Sequence, residues 1–464
     1  MTPSQALPAV LERIDADLDR SLERLFEFLR IQSISTDPAY QAQCRAAAEF
    51  VAGDLGSLGF DTSVRPTAGH PVVVGKGGGG SAGPHVLFYG HYDVQPVDPL
   101  DLWEAPPFSP RIATLPDGRK IIVGRGACDD KGQVMTFIEA CRAFKAVIGH
   151  LPLPITMMIE GEEECGSKHL YGFVRDNAEE FRLDFALVCD TSMWDTKTPA
   201  ITTSLRGLVY EEVKLTCADR DLHSGLFGGA AQNPLRVLAK ILADLHDDQG
   251  RVAIPGFYDG VHELPADVKA DLLGLNLTAE EYLGGVGLKV PAGERDRTLI
   301  EQIATRPTAE INGVIGGYTG QGAKTVIPGQ AMAKVSFRLV GAQDPQKVRD
   351  GFRAFVRARL PVDCKVEFGN FGSAPAIELP FDNPALVKTR AALSAEWGKK
   401  AVMVGEGGSI PIVGDFKRVL GMDTIMVGFA LDDDRVHSPN EKYDLTSFHK
   451  GTRSWARILT ALAE

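Results

Sequence analysis

Four short apolar runs in this chain each lead into a polar or acidic cluster: HVLFYG (85–90), PITMMIEG (154–161), FALVCD (185–190) and TIMVGFA (424–430). Runs of this length, bounded by glycine and acids, read as buried strands. Helical patterns lie between them, as at 133–148 and 168–180. Strand alternating with helix predicts an α/β layer built on a mainly parallel sheet. In such sheets ligands collect beyond the carboxyl ends of the strands. The acidic clusters fall there.

From about residue 206 the texture changes. LVYEEVKLTC (208–217) alternates as a half-exposed strand does, and a helix over 234–246 follows. After a Gly- and Pro-rich insertion (250–300) come a strand AMAKVSFRLV (331–340), a helix (345–359) and a strand KVEFGNF (365–371). This order predicts an inserted α+β domain of the β-α-β-β-α-β, ferredoxin-like kind with a four-stranded antiparallel sheet. The expected division is 1–205 and 378–464 for the α/β domain, with 206–377 inserted. A chain of 464 residues has room for two domains.

The net charge is −12 with Lys and Arg scattered, so neither nucleic acid nor an anionic membrane is an expected partner. No stretch approaches the ~20 apolar residues of a membrane span. The N-terminus lacks the order of a signal peptide. It reads as an amphipathic helix, with Leu11, Ile14, Leu18, Leu22, Leu25 and Leu29 on one face. Seven cysteines in no framework-like spacing predict reduced thiols and a cytoplasmic protein. GKGGGGSAG (75–83) reads as a solvated surface loop, without the Lys-Ser/Thr ending of a phosphate loop.

Five places carry metal-ligating types at the predicted strand ends: His91 with Asp93, Asp129 with Asp130, Glu162-Glu163-Glu164, Asp190, and His437. Acids at the edge of an apolar core are unfavourable unless paired or bound to a cation. Two histidines with several carboxylates suit Zn²⁺ or Mn²⁺. The set is too large for one tetrahedral zinc with an open position and suits two ions sharing a carboxylate. Of the adjacent Glu163 and Glu164, one can bind metal while the other moves a proton. Asp93, two residues from His91, is placed to accept that ring's second N–H.

GHYDVQP (90–96), GRGACDDKGQ (124–133), EGEEECGS (160–167), DLHSGLFGG (221–229), KTVIPGQ (324–330), GEGGSIP (405–411) and HSPNE (437–441) occur in one order. Together they resemble the M20 family of co-catalytic metallopeptidases over nearly the whole chain. The carnosinase-like and cytosolic nonspecific dipeptidase branch is the nearest in look. The resemblance implies that Asp129 bridges two divalent ions, zinc with manganese or cobalt as alternatives. His91 and Asp190 would complete one site, Glu164 and His437 the other. Glu163 would be the general base, Asp93 the support of His91, and a cis peptide would join Asp129 to Asp130. The inserted domain would be a lid through which such proteins dimerise. His223 would steady an oxyanion in the partner's site. Arg338 would hold a substrate carboxylate, with Thr325, Gly408 and Ser409 in the same pocket.

The implied activity is hydrolysis of dipeptides or short peptides with a free C-terminal carboxylate. The alternative is deacylation of N-acyl amino acids, as by acetylornithine deacetylase or succinyl-diaminopimelate desuccinylase. The family tends to carry Asp at the position of Asp190 in amino- and dipeptidases, and Glu in deacylases and carboxypeptidases. The chain departs from the family at FGSAP (371–375), where Phe371 stands in place of a substrate-contacting histidine.

Overall fold

Ile155–Glu160, Val86–His91, Phe185–Val188 and Thr424–Met426 lie side by side and parallel. All four are buried, as near-continuous apolar strands covered on both faces must be. The computed structural model describes residues 1–79, 83–407 and 410–464. Within it the sheet is extended antiparallel by Val72–Gly77 and Asp61–Arg65 at one edge. Ala200–Leu205 extends it at the other, pairing antiparallel with Thr424–Met426. The protein is therefore α/β with a mainly parallel central sheet. Contacts divide the described residues into two compact units, Met1–Thr203 with Leu379–Val404 and Ile410–Glu464, and a second built on Ser204–Glu378.

In the first unit the helix Leu445–Leu462 packs on Lys131–Ile148, Pro384–Trp397 and Pro3–Ala16. The Phe88 ring stacks on Phe137 with centroids 3.7 Å apart, and Trp455 meets both edge-on. That aromatic contact fixes Lys131–Ile148 against the sheet, and with it the residues just before that helix. Three sequence expectations change here. The N-terminal helix is two, Pro3–Ala16 and Leu18–Leu29, parted at Asp17. Gly75 and Gly77 belong to a strand, not a loop, because they pair with Met157 and Ile155. The run at 424–430 is strand only over Thr424–Met426. Beyond it Gly428 approaches the chain after Asp190 so closely that a Cβ would lie 1.7 Å from the Thr191 carbonyl oxygen.

In the second unit the order is Thr308–Gly316, Gln330–Leu339, Gly207–Thr216, Lys365–Ala374, all antiparallel. Pro234–Ala243 and Pro345–Arg357 pack on one face. Every second residue of Gly207–Thr216 faces that core. One of them is Glu211, whose carboxylate is held there by Arg349 and Arg353 at 2.8 and 2.7 Å. The strand Thr308–Gly316 has no counterpart in the sequence reading. It is an edge strand, bulged between Ile311 and Gly313 and mostly exposed, so apolar periodicity is weak there. The expectation of wholly reduced thiols is also corrected. Thr216 pairs with Lys365, which sets the next residues, Cys217 and Cys364, opposite each other, and they form a disulfide.

Candidate metal centre

The ligand candidates of the first unit sit where the parallel strands stop. Val86–His91 ends on the fully buried His91. Asp190 comes two residues after Phe185–Val188, and Ile155–Glu160 runs into a short turn over Glu163–Cys165. His437, at φ 60°, lies in the loop after Thr424–Met426. Asp129 precedes Lys131–Ile148, and the Asp129–Asp130 peptide is cis.

These side chains converge as two groups that share one carboxylate. His91, Asp129 and Asp190 form one; Asp129, Glu164 and His437 form the other, each with its ligand atoms within 4.8 Å of one another. Asp129 Oδ1 lies 3.1 Å from His91 Nε2, and its Oδ2 lies 2.9 Å from His437 Nε2. Glu164 Oε2 is 3.2 Å from His437 Nε2, and Asp190 Oδ2 is 3.9 Å from His91 Nε2. A carboxylate with one oxygen turned to each group is what two divalent cations can share. Mixed imidazole and carboxylate donors fit zinc or manganese.

The electrostatics of the side chains favour positive charge at this place. Hydrogen bonds to Asp129 and Glu164 push the His437 pKa up to about 10. Burial opposes charge on His91, yet Asp129 and Asp93 hold its pKa well above the usual value. Burial, then repulsion by Asp130 and Asp129, pushes the Asp190 carboxyl well above its usual range. Imidazolium is stabilised here and the Asp190 carboxylate destabilised, while against burial the histidines hold the Asp129 carboxyl below its usual range; a divalent cation would relieve the Asp190 charge.

Two more candidates flank the ligands. His91 Nδ1 is 3.1 Å from the Asp93 carbonyl oxygen and 3.3 Å from Asp93 Oδ1, so residue 93 orients the ring through both groups. Asp93 Oδ2 accepts the Glu164 backbone N–H at 3.1 Å, tying the histidine to the glutamate turn. Glu164 also accepts from Gln95 Nε2 at 2.7 Å. The Glu163 carboxylate makes no hydrogen bond among the described residues, and burial raises its pKa. Asp130 and Glu162 stand outside the two groups. Asp130 accepts the His91 backbone N–H at 3.2 Å, and Glu162 lies 2.9 Å from His169 Nδ1.

The remaining candidates belong to the second unit. Leu222–His223 pairs with Val326–Ile327, and the Thr325 carbonyl accepts the Ser224 N–H at 3.0 Å, so His223 and Thr325 are neighbours. His223 Nδ1 accepts the Gly225 N–H at 3.0 Å, which makes Nε2 the ring's exposed donor. Arg338, half-buried opposite Leu208 and Thr308, has no hydrogen bond or ion pair among the described residues. Phe371 lies edge-on to Tyr210 at 5.8 Å, beneath the Lys334 ammonium. Gly408 and Ser409 lie outside the described residues. The sequence reading does not single out Gln95 or Glu441, although both stand inside motifs it quotes, GHYDVQP and HSPNE.

The model of Peptidase family M20/M25/M40 matches residues 87–461. Over 473 residues the chain is 30% identical to a Cys-Gly metallodipeptidase of Schizosaccharomyces pombe, covering 99% of this chain and 98% of that protein. It is 30% identical over 484 residues to a Beta-Ala-His dipeptidase of Homo sapiens, covering 100% and 94%. Among solved structures, an M20 family metallo-carboxypeptidase of Sulfolobus solfataricus is similar with a TM-score of 0.77 and 30% identity, over 96% of this chain and 99% of that one.

Proposed function

This chain belongs to peptidase family M20/M25/M40, and from that premise we propose that it hydrolyses dipeptides or short peptides bearing a free C-terminal carboxylate. The observation that carries this reading is the shared Asp129, whose two oxygens face two histidine- and carboxylate-lined groups. The names of both curated relatives, each a dipeptidase, point the substrate class the same way.

His91, Asp129 and Asp190 would hold one divalent ion, and Asp129, Glu164 and His437 the other, with zinc our first choice over manganese or cobalt. Bound there, the ions supply Lewis acidity at the scissile carbonyl. Glu163, whose carboxylate makes no hydrogen bond among the described residues, takes a proton from the attacking water and passes it to the leaving amine. Its burial favours that role, because a carboxylate with a raised pKa is a better proton acceptor. Asp93 keeps His91 in the Nδ1–H tautomer, which would leave Nε2 to hold an ion.

To His223 we assign the oxyanion of the tetrahedral intermediate, which its exposed Nε2–H suits. To Arg338 we assign the terminal carboxylate of the substrate, because a planar guanidinium without a counterion among the described residues fits a carboxylate bidentately. Thr325, Gly408 and Ser409 complete the proposed substrate pocket. We further propose a homodimer formed through the second unit, whose edge strand exposes Ile311, Val314 and Ile315. A cytoplasmic location is part of the same proposal and rests on the five free cysteines, four of them buried, set against the one Cys217–Cys364 disulfide. Among the described residues no helix is long and apolar enough to cross a membrane.

The test is hydrolysis by metal-reconstituted protein of free dipeptides, C-terminally amidated dipeptides and N-acyl amino acids. The expected result is cleavage of the free dipeptides with a large loss on amidation. Turnover of the N-acyl compounds alone would overturn the reading in favour of a deacylase.

A further inference from the structure

Glu441 is fully buried and stands outside both ligand groups. Its carboxylate accepts four hydrogen bonds, all from the segment that ends on Asp129. Oε1 accepts the backbone N–H groups of Cys128 (2.9 Å) and Asp129 (3.1 Å). Oε2 accepts the N–H of Gly126 (3.0 Å) and an Arg125 Nη1 proton (2.7 Å). The Glu441 carbonyl adds a fifth link, accepting the Gly124 N–H at 3.0 Å. This segment is in neither helix nor strand, so its buried amides need an acceptor from elsewhere. Convergent backbone N–H groups of this kind form a concavity for an anion.

His437 stands four residues earlier in the chain. Arg435, His437 and Asn440 all have left-handed backbone, with φ of 55°, 60° and 60°. Non-glycine residues keep that conformation only where their surroundings hold it. Two carboxylates bracket the loop. On one side Asp434 accepts the Leu431 N–H (2.7 Å) and a Lys442 ammonium proton (2.5 Å). On the other side is Glu441. One side chain thus anchors both the Asp129 segment and the His437 loop, whose ligand atoms lie 2.9 Å apart.

We propose that Glu441 is a positioning residue: it locks the Arg125–Asp129 segment to the His437 loop, so that Asp129 and His437 present one shared metal site. It stands outside both ligand groups, so it acts through Asp129 and His437. The inference rests on the two-metal reading above.

Glu441→Asp keeps the charge, but a side chain one methylene shorter cannot reach both pairs of donors. Arg125→Met removes the ion pair and leaves the three backbone hydrogen bonds. The readouts are thermal stability, calorimetric Mn²⁺ affinity, amide exchange, and kcat and KM on one dipeptide. In Glu441→Asp the amides of Gly126, Cys128 and Asp129 should exchange about tenfold faster or more while the rest of the first unit is unchanged. Affinity for the second ion should fall about 10–100-fold. The kcat should fall with KM held within about twofold. Arg125→Met should lose stability but keep both ions. Should Glu441→Asp fail to fold, Glu441→Gln, which keeps the length, carries the same expectations. Wild-type ion affinity in the Glu441 variant would overturn this inference alone, as would an equal loss in Arg125→Met. A wild-type protein that binds no second ion would overturn the two-metal reading and this inference together.

Discussion

Glu163 and Glu164 are neighbours in sequence with opposite attachments. Glu164 accepts from Gln95 Nε2 at 2.7 Å and lies 3.2 Å from His437 Nε2, whereas the Glu163 carboxylate is hydrogen-bonded to nothing among the described residues. A ligand has to be held, and a proton carrier has to be free. Glu163→Gln should therefore keep both ions and the thermal stability while kcat falls by about 10²–10⁴-fold. Steady-state kinetics beside a metal count checks this. A variant within a few-fold of wild type would move the base elsewhere.

Gly132 lies in the first turn of the helix that follows Asp129, and a Cβ there would lie 1.9 Å from the Ala127 carbonyl oxygen. That oxygen belongs to backbone, so the clash is relieved only by moving the segment that carries Asp129. Gly132→Ala should destabilise the fold by about 1–3 kcal/mol and weaken ion binding. Denaturant unfolding of the metal-free protein, paired with a metal titration, reads the two effects separately. Unchanged ion affinity would show that the segment can shift without disturbing Asp129.

Away from the site, Glu180 is held by the Nη1 and Nη2 of Arg65, each at 2.7 Å, and by Lys76 at 2.6 Å. These hydrogen bonds, Arg65 first, lower its pKa to about 2 from an ordinary 4.5. A carboxyl whose pKa is depressed on folding stabilises the protein fully above its unfolded value, and that stability is lost as pH falls through the folded one. The contribution should be whole above about pH 4.5 and fade toward pH 2. Glu180→Gln should thus be less stable than wild type at pH 7, with the gap narrowing at pH 4 and pH 3. Urea unfolding at those pH values measures it, and a gap that widened on acidification would contradict the assignment.

Much of this molecule is legible in its sequence, and the exceptions have physical causes. The buried parallel strands announce themselves because both faces are apolar, and each leads to the loop that carries a ligand candidate. The five places that hold His91, Asp129, Glu164, Asp190 and His437 stand out because acids and histidines beside apolar runs need a partner there, and the family resemblance picks these five from their acidic neighbours. Thr308–Gly316 is illegible for the opposite reason: an edge strand with one exposed side and a bulge carries little periodicity. The Cys217–Cys364 bond depends on strand register across 147 residues, which cysteine spacing does not encode. Glu441 is hidden by a still longer separation, since its partners lie more than 300 residues earlier. Phe371 is visible as a departure, but its packing against Tyr210 is not.

The central claim is that one carboxylate, Asp129, serves two metal ions. The most direct measurement counts ions per chain after reconstitution, by mass spectrometry, in the wild type, Glu164→Ala and Asp129→Ala. The account predicts two ions in the wild type, one in Glu164→Ala, and fewer than one in Asp129→Ala with the fold intact. A single ion in the wild type, or two ions retained without Asp129, would contradict it.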